Sequence, residues 1–426
     1  MTISNTKIII KKSVNSGNVP SSLANGEIAI NSADGKLYYS TPSNVISFIT
    51  NQLTFGTVNV GGSLILANTT SDTLSLIAGN NVTLLANTTT KRVTFNADTY
   101  LFKNRIINGG FQIAQELGST SVTPTATQYT VDQWSAGLSQ ASKLTFQQVT
   151  DAPAGAKNSL KVTVASQYSP ISTDVFCVTQ PIEGNNITDF QWGTSGALTI
   201  TTSFQVKSSI TGTFSVSIAN GAANRSYVAT YTISSANVWT PLAVTIPGDQ
   251  TGTWATDNTI GLNLVFDLGY GSNFNATAGS WQAGSYRNTS GSIKFVNQSA
   301  GATWQLAQVQ LEPGTLQTIW DIRDYVHELL MCKRYTRWVP FSMNFAAYTA
   351  GSGNAILVPF DVEMRVTPSF SSLTSDPAAS QAVGNSSGNS FLPTYSSTTG
   401  ALASVTAGAA GQAWVYGYRA LATARM

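Results

Sequence analysis

Three clusters of aromatic, amide and carboxylate side chains could do recognition chemistry in this chain. The first runs from Tyr270 and Asn273, in a Gly-Tyr-Gly-Ser-Asn-Phe-Asn stretch at 269–275, to Trp281, Tyr286, Arg287 and Asn288. The second is Trp254 with Asp257 inside 249–258, and the third is Trp192 with Asp189 and Asn185-Asn186. An aromatic face packs on the C–H groups of a pyranose while neighbouring Asn, Gln and Asp satisfy its hydroxyls. The candidate glycan-binding residues are therefore Trp281, Tyr286, Tyr270, Asn273, Trp254, Asp257, Trp192 and Asp189. The segment 279–284, Gly-Ser-Trp-Gln-Ala-Gly, can equally serve to close a sandwich. Trp134 and Trp304 fall in predicted strands and are read as core. The terminal region, through its 375–390 loop or Tyr395, is an equal contender for a receptor site.

Catalytic signals are weak. His327 is the single histidine, set between Val326 and Glu328 on a predicted helix, and neither GxSxG nor HExxH occurs. No catalytic residue is assigned and an enzyme is not expected, although two carboxylates can cleave a glycan and their separation is invisible in a sequence. Cys177 and Cys332 have no CxxC spacing and read as small core side chains. The 249–258 loop offers hard oxygen ligands that leave calcium open, but without EF-hand spacing no metal site is assigned, and no cofactor is expected. With 22 Lys+Arg against 20 Asp+Glu and no basic cluster, nucleic-acid binding is not expected. No stretch approaches the ~20 apolar residues of a membrane span. The opening residues place their charges after an apolar run, the reverse of a signal peptide, so synthesis and folding in a cytoplasm are expected.

The elements that must position these clusters are almost wholly β. Of 426 residues only 10% are charged while 42% are hydrophobic, so Asn, Ser, Thr and Gly must keep the surface wet. Short runs rich in Val, Ile, Thr, Phe and Tyr alternate with polar residues and are punctuated by Gly, Asn, Asp and Pro. Residues 1–50 form a first unit with strands expected at 6–11, 27–31 and 37–40, the last two joined through Asp34-Gly35, a strong hairpin signal. From 51 to 102 a repeat appears, Leu-Ala-Asn-Thr-Thr at 66–70 and again at 85–89, with strands expected at 73–77 and 92–96. Each such strand carries one apolar face, and no segment is long enough to bury it alone. Several copies wrapped about one axis would supply the missing core and hide the strand edges. The alternative is a two-sheet extension of the next domain.

Residues 103–315 read as one antiparallel jelly roll, with strands at 197–207, 212–219, 226–233, 240–246, 259–268 and 302–311. A helix is expected from Asp321 to about Arg337, its stripe formed by Ile322, Tyr325, Val326, Leu329, Leu330 and Cys332 and its end set by Pro340. A connecting segment 316–340 then leads to a small β knob at 341–426, with strands at 355–360 and 413–424. The expected fold class is mainly β.

Three stretches carry a family resemblance. Residues 19–38, VPSSLANGEIAINSADGKLY, resemble the N-terminal attachment segment of bacteriophage tail fibres and related virion fibres. Residues 104–111, NRIINGGF, followed by Val131-Asp132-Gln133-Trp134, are similar to the opening of the carbohydrate-binding-module-like jelly roll of many such fibres. Residues 304–314, WQLAQVQLEPG, and 328–335, ELLMCKRY, resemble that module's closing strand and the helix after it. The resemblance implies a homotrimeric tail fibre located in the virion. Residues 1–50 would join a tail or baseplate protein, and the distal domains would bind host cell-surface glycan. A structural fibre or decoration protein without receptor binding, and a glycan-cleaving tail spike, are the alternatives.

Overall fold

The computed structural model describes residues 10–43, 45–49, 57–60, 63–69, 72–77, 82–97, 103–350, 353–375, 382–384, 395–406 and 411–426. The chain is mainly β and divides into two compact units, Met1–Ala97 and Asp98–Met426.

In the first unit Lys11–Ser13, Ile28–Asn31, Lys36–Ser40 and Ile46–Ile49 form a sheet in that order, the first pair parallel and the others antiparallel. The expected 6–11 strand falls mostly outside the described residues. Asp34 pins the hairpin by accepting from Ser16 Oγ at 2.6 Å, the Gly17 amide at 2.8 Å and Asn31 Nδ2 at 2.9 Å. Period-two alternation sends Ala29 and Tyr38 under Leu23 and leaves Ile28, Ile30, Tyr39 and Ile49 exposed. Two hairpins follow, Thr57–Val60 with Ser63–Leu66 and Val82–Asn87 with Arg92–Ala97. Their Leu64, Leu66, Leu85 and Phe95 side chains are exposed. The 73–77 segment, expected as a strand, is irregular. Alternation alone did not make a strand there, because a strand needs a neighbour for its backbone groups.

The second unit is built on a two-sheet sandwich. One sheet has the order Trp281–Ala283, Arg225–Ile233, Gly212–Asn220, Ile260–Asp267, Phe176–Glu183, Trp134–Leu138, Gln128–Val131. The other is Leu144–Val149, Ser159–Val164, Thr303–Pro313, Ile200–Ser208, Thr240–Ile246. Between them lie Trp134, Phe146, Phe176, Phe204, Phe214, Phe266 and Trp304, all buried. The NRIINGGF stretch is scaffold. Asn108 Nδ2 donates to the carbonyls of Ile113 and Asp132 at 2.7 and 2.9 Å, and its own carbonyl accepts from the Trp134 indole at 3.0 Å. Gly109 approaches the closing strand so closely that a Cβ would stand 2.1 Å from the Val309 carbonyl oxygen. Cys177 and Cys332 are free and buried.

The helix is shorter than its periodicity predicts, Tyr325–Lys333, with Asp324 capping the His327 amide at 3.0 Å. It starts late because the preceding residues are held elsewhere. The Asp321 amide donates to Gln310 Oε1 at 2.9 Å, and the Arg323 guanidinium donates to the carbonyls of Ile106, at 2.7 Å, and Asn104. Only its C-terminal half docks, with Cys332 packed among Ile107, Ile113 and Tyr335, while Ile322, Tyr325 and Val326 of the expected stripe are exposed. Pro340 does not end it. That proline lies inside the strand Thr336–Ala347, at the edge of the next sheet, where a missing N–H costs no ladder bond. Thr336–Ala347, Gly411–Thr423 and Ser369–Ser375, with Ala382–Gly384 also paired to Gly411–Thr423, form this sheet, and Gly353–Pro359, Gly400–Thr406 and Tyr395–Ser396 another. Most of the 375–390 loop lies outside the described residues. The terminal sheets are tied to the sandwich by Arg334, which grips Glu183 at 2.8 and 2.9 Å, and by reciprocal bonds between Asn258 and Arg365.

Candidate functional site

Trp192, Trp254 and Trp281, far apart in sequence, meet. Their ring centroids are 4.6 Å apart for Trp192 and Trp254, 5.3 Å for Trp192 and Trp281, and 5.4 Å for Trp254 and Trp281, all edge-to-face. Phe190 backs Trp192 at 5.5 Å and Tyr227 backs Trp281 at 5.3 Å. Edge-to-face contacts use the ring quadrupole favourably, so the cluster is a rigid block rather than three independent side chains.

Each tryptophan reaches the block on a different support. Trp192 follows two short 3-10 turns, Gly184–Asn186 and Thr188–Phe190, and the left-handed Gln191. The chain then turns at Gly193, whose φ is +88° and where a Cβ would stand 2.4 Å from the Gly252 carbonyl oxygen. Trp281 belongs to the short edge strand Trp281–Ala283 paired with Arg225–Ile233, so the segment read as a possible sandwich closure is a sheet strand and also presents a ring to the cluster. Trp254 is placed by Asp249, which accepts from Arg225 Nε at 2.8 Å, Arg225 Nη2 at 2.7 Å, the Gly252 amide at 3.0 Å and the Trp254 indole at 3.2 Å. Burial pushes the Asp249 carboxyl upward, but Arg225 and these other donors outweigh it and hold the group below the usual carboxylate range.

All three indole N–H groups are satisfied by the protein itself: Trp192 by the Leu198 carbonyl at 2.8 Å, Trp281 by the Pro247 carbonyl at 2.7 Å and Trp254 by Asp249. What remains for a ligand is a narrow apolar strip, since Trp192 is 7% and Trp254 8% exposed. It borders a cleft of about 270 Å³ lined by Ile187, Thr188, Gln191, Trp192, Thr194, Trp254, Ala255 and Thr256. Thr188, Gln191, Thr194 and Thr256 are exposed and supply hydroxyl and amide groups around an aromatic floor. Such an arrangement can bind a small polyhydroxylated group.

The remaining sequence candidates lie elsewhere. Asp189 is paired with Arg105 at 2.6 Å, and that guanidinium sits 5.1 Å over Phe190, so the carboxylate braces the turn beneath the cleft. Asp257 is exposed and accepts from the Thr259 amide and hydroxyl at 2.9 and 2.5 Å. Its hydrogen bond from Thr259 lowers its proton affinity. Tyr270 is only 7% exposed; it packs with Cys177 and Val265, and its hydroxyl donates to Cys177 Sγ at 3.3 Å. Asn273 is exposed on a 3-10 turn, Ser272–Phe274, and Tyr286 is half-buried against Gly284. Sequence reasoning missed the rim residues Gln191, Thr194 and Thr256 and the clamp between Arg225 and Asp249. Gln191 and Thr256 sit beside chosen tryptophans in sequence, whereas the pairing of Arg225 with Asp249 leaves no local signal. The described residues hold no group of three or more His, Cys, Asp or Glu arranged for a metal ion.

No protein-family model matches the chain, and no curated protein matches it. Solved structures do. A sugar-binding protein, so described provisionally, from Bacteroides thetaiotaomicron aligns at 13% identity and a TM-score of 0.31, over 50% of this chain and 100% of that one. The enzymatically active domain of tailspike protein 4 of bacteriophage CBA120 aligns at 12% identity and a TM-score of 0.28, over 50% of this chain but 21% of its own length. The family 11 carbohydrate-binding module of a Clostridium thermocellum cellulase aligns at 12% identity and a TM-score of 0.24, over 47% and 98% of the two chains.

Proposed function

We propose that this chain is a homotrimeric phage tail-fibre protein that attaches a virion to host-surface glycan without cleaving it. Its N-terminal segment joins a tail or baseplate protein, the 51–102 repeats gather three copies, and the cleft beside Trp192 and Trp254 takes a saccharide. The observation that carries the binding function is the convergence of three separated tryptophans in one block, two of which, Trp192 and Trp254, line a cleft whose rim is hydroxyl and amide. The virion assignment rests on the sequence resemblance at 19–38 and on the exposed apolar stripes of the hairpins in the first unit. A single shallow cleft binds weakly, and three on one particle gain through effective concentration.

The test is retention of the full-length protein on permissive cells and on immobilised host polysaccharide. Gln191→Ala/Thr256→Ala removes two exposed rim groups and should leave the thermal midpoint unchanged. Losing two hydrogen bonds of about 0.5 kcal/mol each per site across three engaged sites predicts a drop in avidity on the order of 100-fold. Undiminished retention would remove the cleft from the proposal. Release of reducing ends from the polysaccharide would replace attachment by cleavage.

A further inference from the structure

Between the closing strand of the sandwich and the helix, every third residue is a large apolar side chain facing water. Leu316 is 74% exposed, Ile319 73%, Ile322 67% and Tyr325 55%, with Val326 beside them at 63%. The residues between them are fastened down. The Thr318 amide and hydroxyl donate to the Glu312 carboxylate at 2.8 and 2.7 Å, and Asp321 and Arg323 are held as described above. The apolar side chains thus project from a fixed backbone, which lowers the ordering cost of burying them against a partner. Together they offer on the order of 500 Å² of apolar surface, as much as the largest patch on a typical monomer and most of the roughly 800 Å² per partner of a standard interface.

Next to this ridge is a hollow of about 200 Å³ whose walls join Pro241, Leu242 and Trp320 with Gln205 and Gln308, with Ile319 on its border. A chain that carries both a ridge and an adjoining hollow can make a head-to-tail contact, and head-to-tail contacts close into rings when the rotation permits. Lys103, where the described second unit begins, donates to Thr318 Oγ1 at 2.8 Å and to the Ile319 carbonyl at 2.9 Å. The ridge therefore lies at the entry point of the chain. Copies joined through their 51–102 repeats would hold their ridges close together at high effective concentration.

We infer that residues 316–326 are a docking ridge for a second copy of this chain, with Ile322 seated toward the hollow at Leu242 of the neighbour. The inference rests on the trimeric reading above and extends self-association beyond the repeats into the sandwich. The full chain tests it. The native cysteines are buried, so an Ile322→Cys/Leu242→Cys variant under mild oxidation should give covalent multimers up to trimer on a denaturing gel, while each single variant should not. Ile319→Asp/Ile322→Asp should weaken association roughly tenfold or more in sedimentation, with the near-ultraviolet spectrum unchanged because both side chains are exposed. If the wild type is trimeric but the paired cysteines link only within one chain and the Asp variant associates undiminished, the ridge is refuted and the trimer survives. A wild type that stays monomeric refutes both.

Discussion

Arg334→Met is the most demanding test of how the terminal sheets are held. Arg334 reaches from the end of the helix to Glu183, placing Nε 2.8 Å from Oε1 and Nη2 2.9 Å from Oε2. The Glu183 side chain is 2% exposed and that of Arg334 30%. Removing one partner of a buried pair costs ~3 to ~5 kcal/mol because the other charge is stranded; solvent at the Arg334 end places this case near about 3 kcal/mol. Methionine keeps the packing of the stem, so the loss reports the charge. Glu183→Gln/Arg334→Met removes both charges and should recover to within about 1 kcal/mol of wild type. In the wild type, burial raises the Glu183 carboxyl but Arg334 and Tyr335 outweigh it and hold the group below the usual range. Its stabilisation is thus present above the ordinary carboxylate range and lost as pH falls through the lowered value. In Arg334→Met burial is opposed by the hydrogen bonds of Tyr335 and Asn185 without the guanidinium, and the variant should lose less stability than the wild type on mild acidification. Denaturant unfolding at fixed protein concentration, repeated between pH 4 and 7, reads the wild type and both variants. A single-variant cost below about 1 kcal/mol, or a double variant as unstable as the single one, would refute the reasoning.

Three further outcomes follow from the site and its surroundings. Asp249→Asn weakens the grip of Arg225 on the loop carrying Trp254, and should cost about 2 kcal/mol and shift tryptophan emission to the red. Gly193→Ala forces a left-handed residue against the Gly252 carbonyl, and should lower the thermal midpoint by an amount equivalent to about 2 kcal/mol while abolishing glycan retention. Burial pushes the Asp267 carboxyl up to about 6 from 3.8, against the attraction of Lys294 at 4.0 Å and the amides of Gly269 and Tyr270. A raised carboxylate favours the native state at low pH, so the wild type should lose up to about 3 kcal/mol relative to Asp267→Asn as pH rises from 4 through 6, then run parallel to it. Thermal midpoints across that range measure the difference, and a flat one would contradict it.

The sheets were readable because alternation is local. Thr240–Ile246 is a strand over the residues its pattern predicts, and the strands around Phe204 and Phe214 shift by only a few residues at their ends. The helix was overextended for an instructive reason. Of the expected stripe Ile322 lies before the helix and Tyr325 and Val326 fall in its exposed first turn, because the Asp321 amide bonds to Gln310 and the Arg323 guanidinium to distant carbonyls, so the helix starts only at Tyr325. Pro340 read as a stop because local rules cannot distinguish a helix breaker from an edge-strand proline. At the site, residue type pointed to Trp192, Trp254 and Trp281 singly. Their meeting is a property of two loops and an edge strand, and no spacing in the sequence encodes it. Tyr270 carried the same composition signal and is buried against Cys177, since an aromatic beside Gly and Asn reads alike in a loop and under one.

The use of charge ties these observations together. A chain with so few ions spends many of them inside: Arg105 with Asp189, Arg225 with Asp249, Arg334 with Glu183 and Arg425 with Glu116 each join segments distant in sequence. In each pair at least one side chain keeps no more than 14% of its exposure. Buried pairs contribute specificity of register more than net stability, because desolvation offsets most of their attraction. In this chain Arg105 with Asp189 and Arg225 with Asp249 brace the turns beside the cleft, and the other two pairs tie the C-terminal region to the sandwich. The cleft rim is left to threonine and glutamine, neutral hydrogen-bonding groups. Such a surface attracts partners at contact range only and is little affected by screening, since ionic strength acts on separated exposed charges. Recognition by neutral hydrogen bonds and aromatic faces is weak per site, so the proposed multivalency follows from the same choice of residues that keeps the surface uncharged.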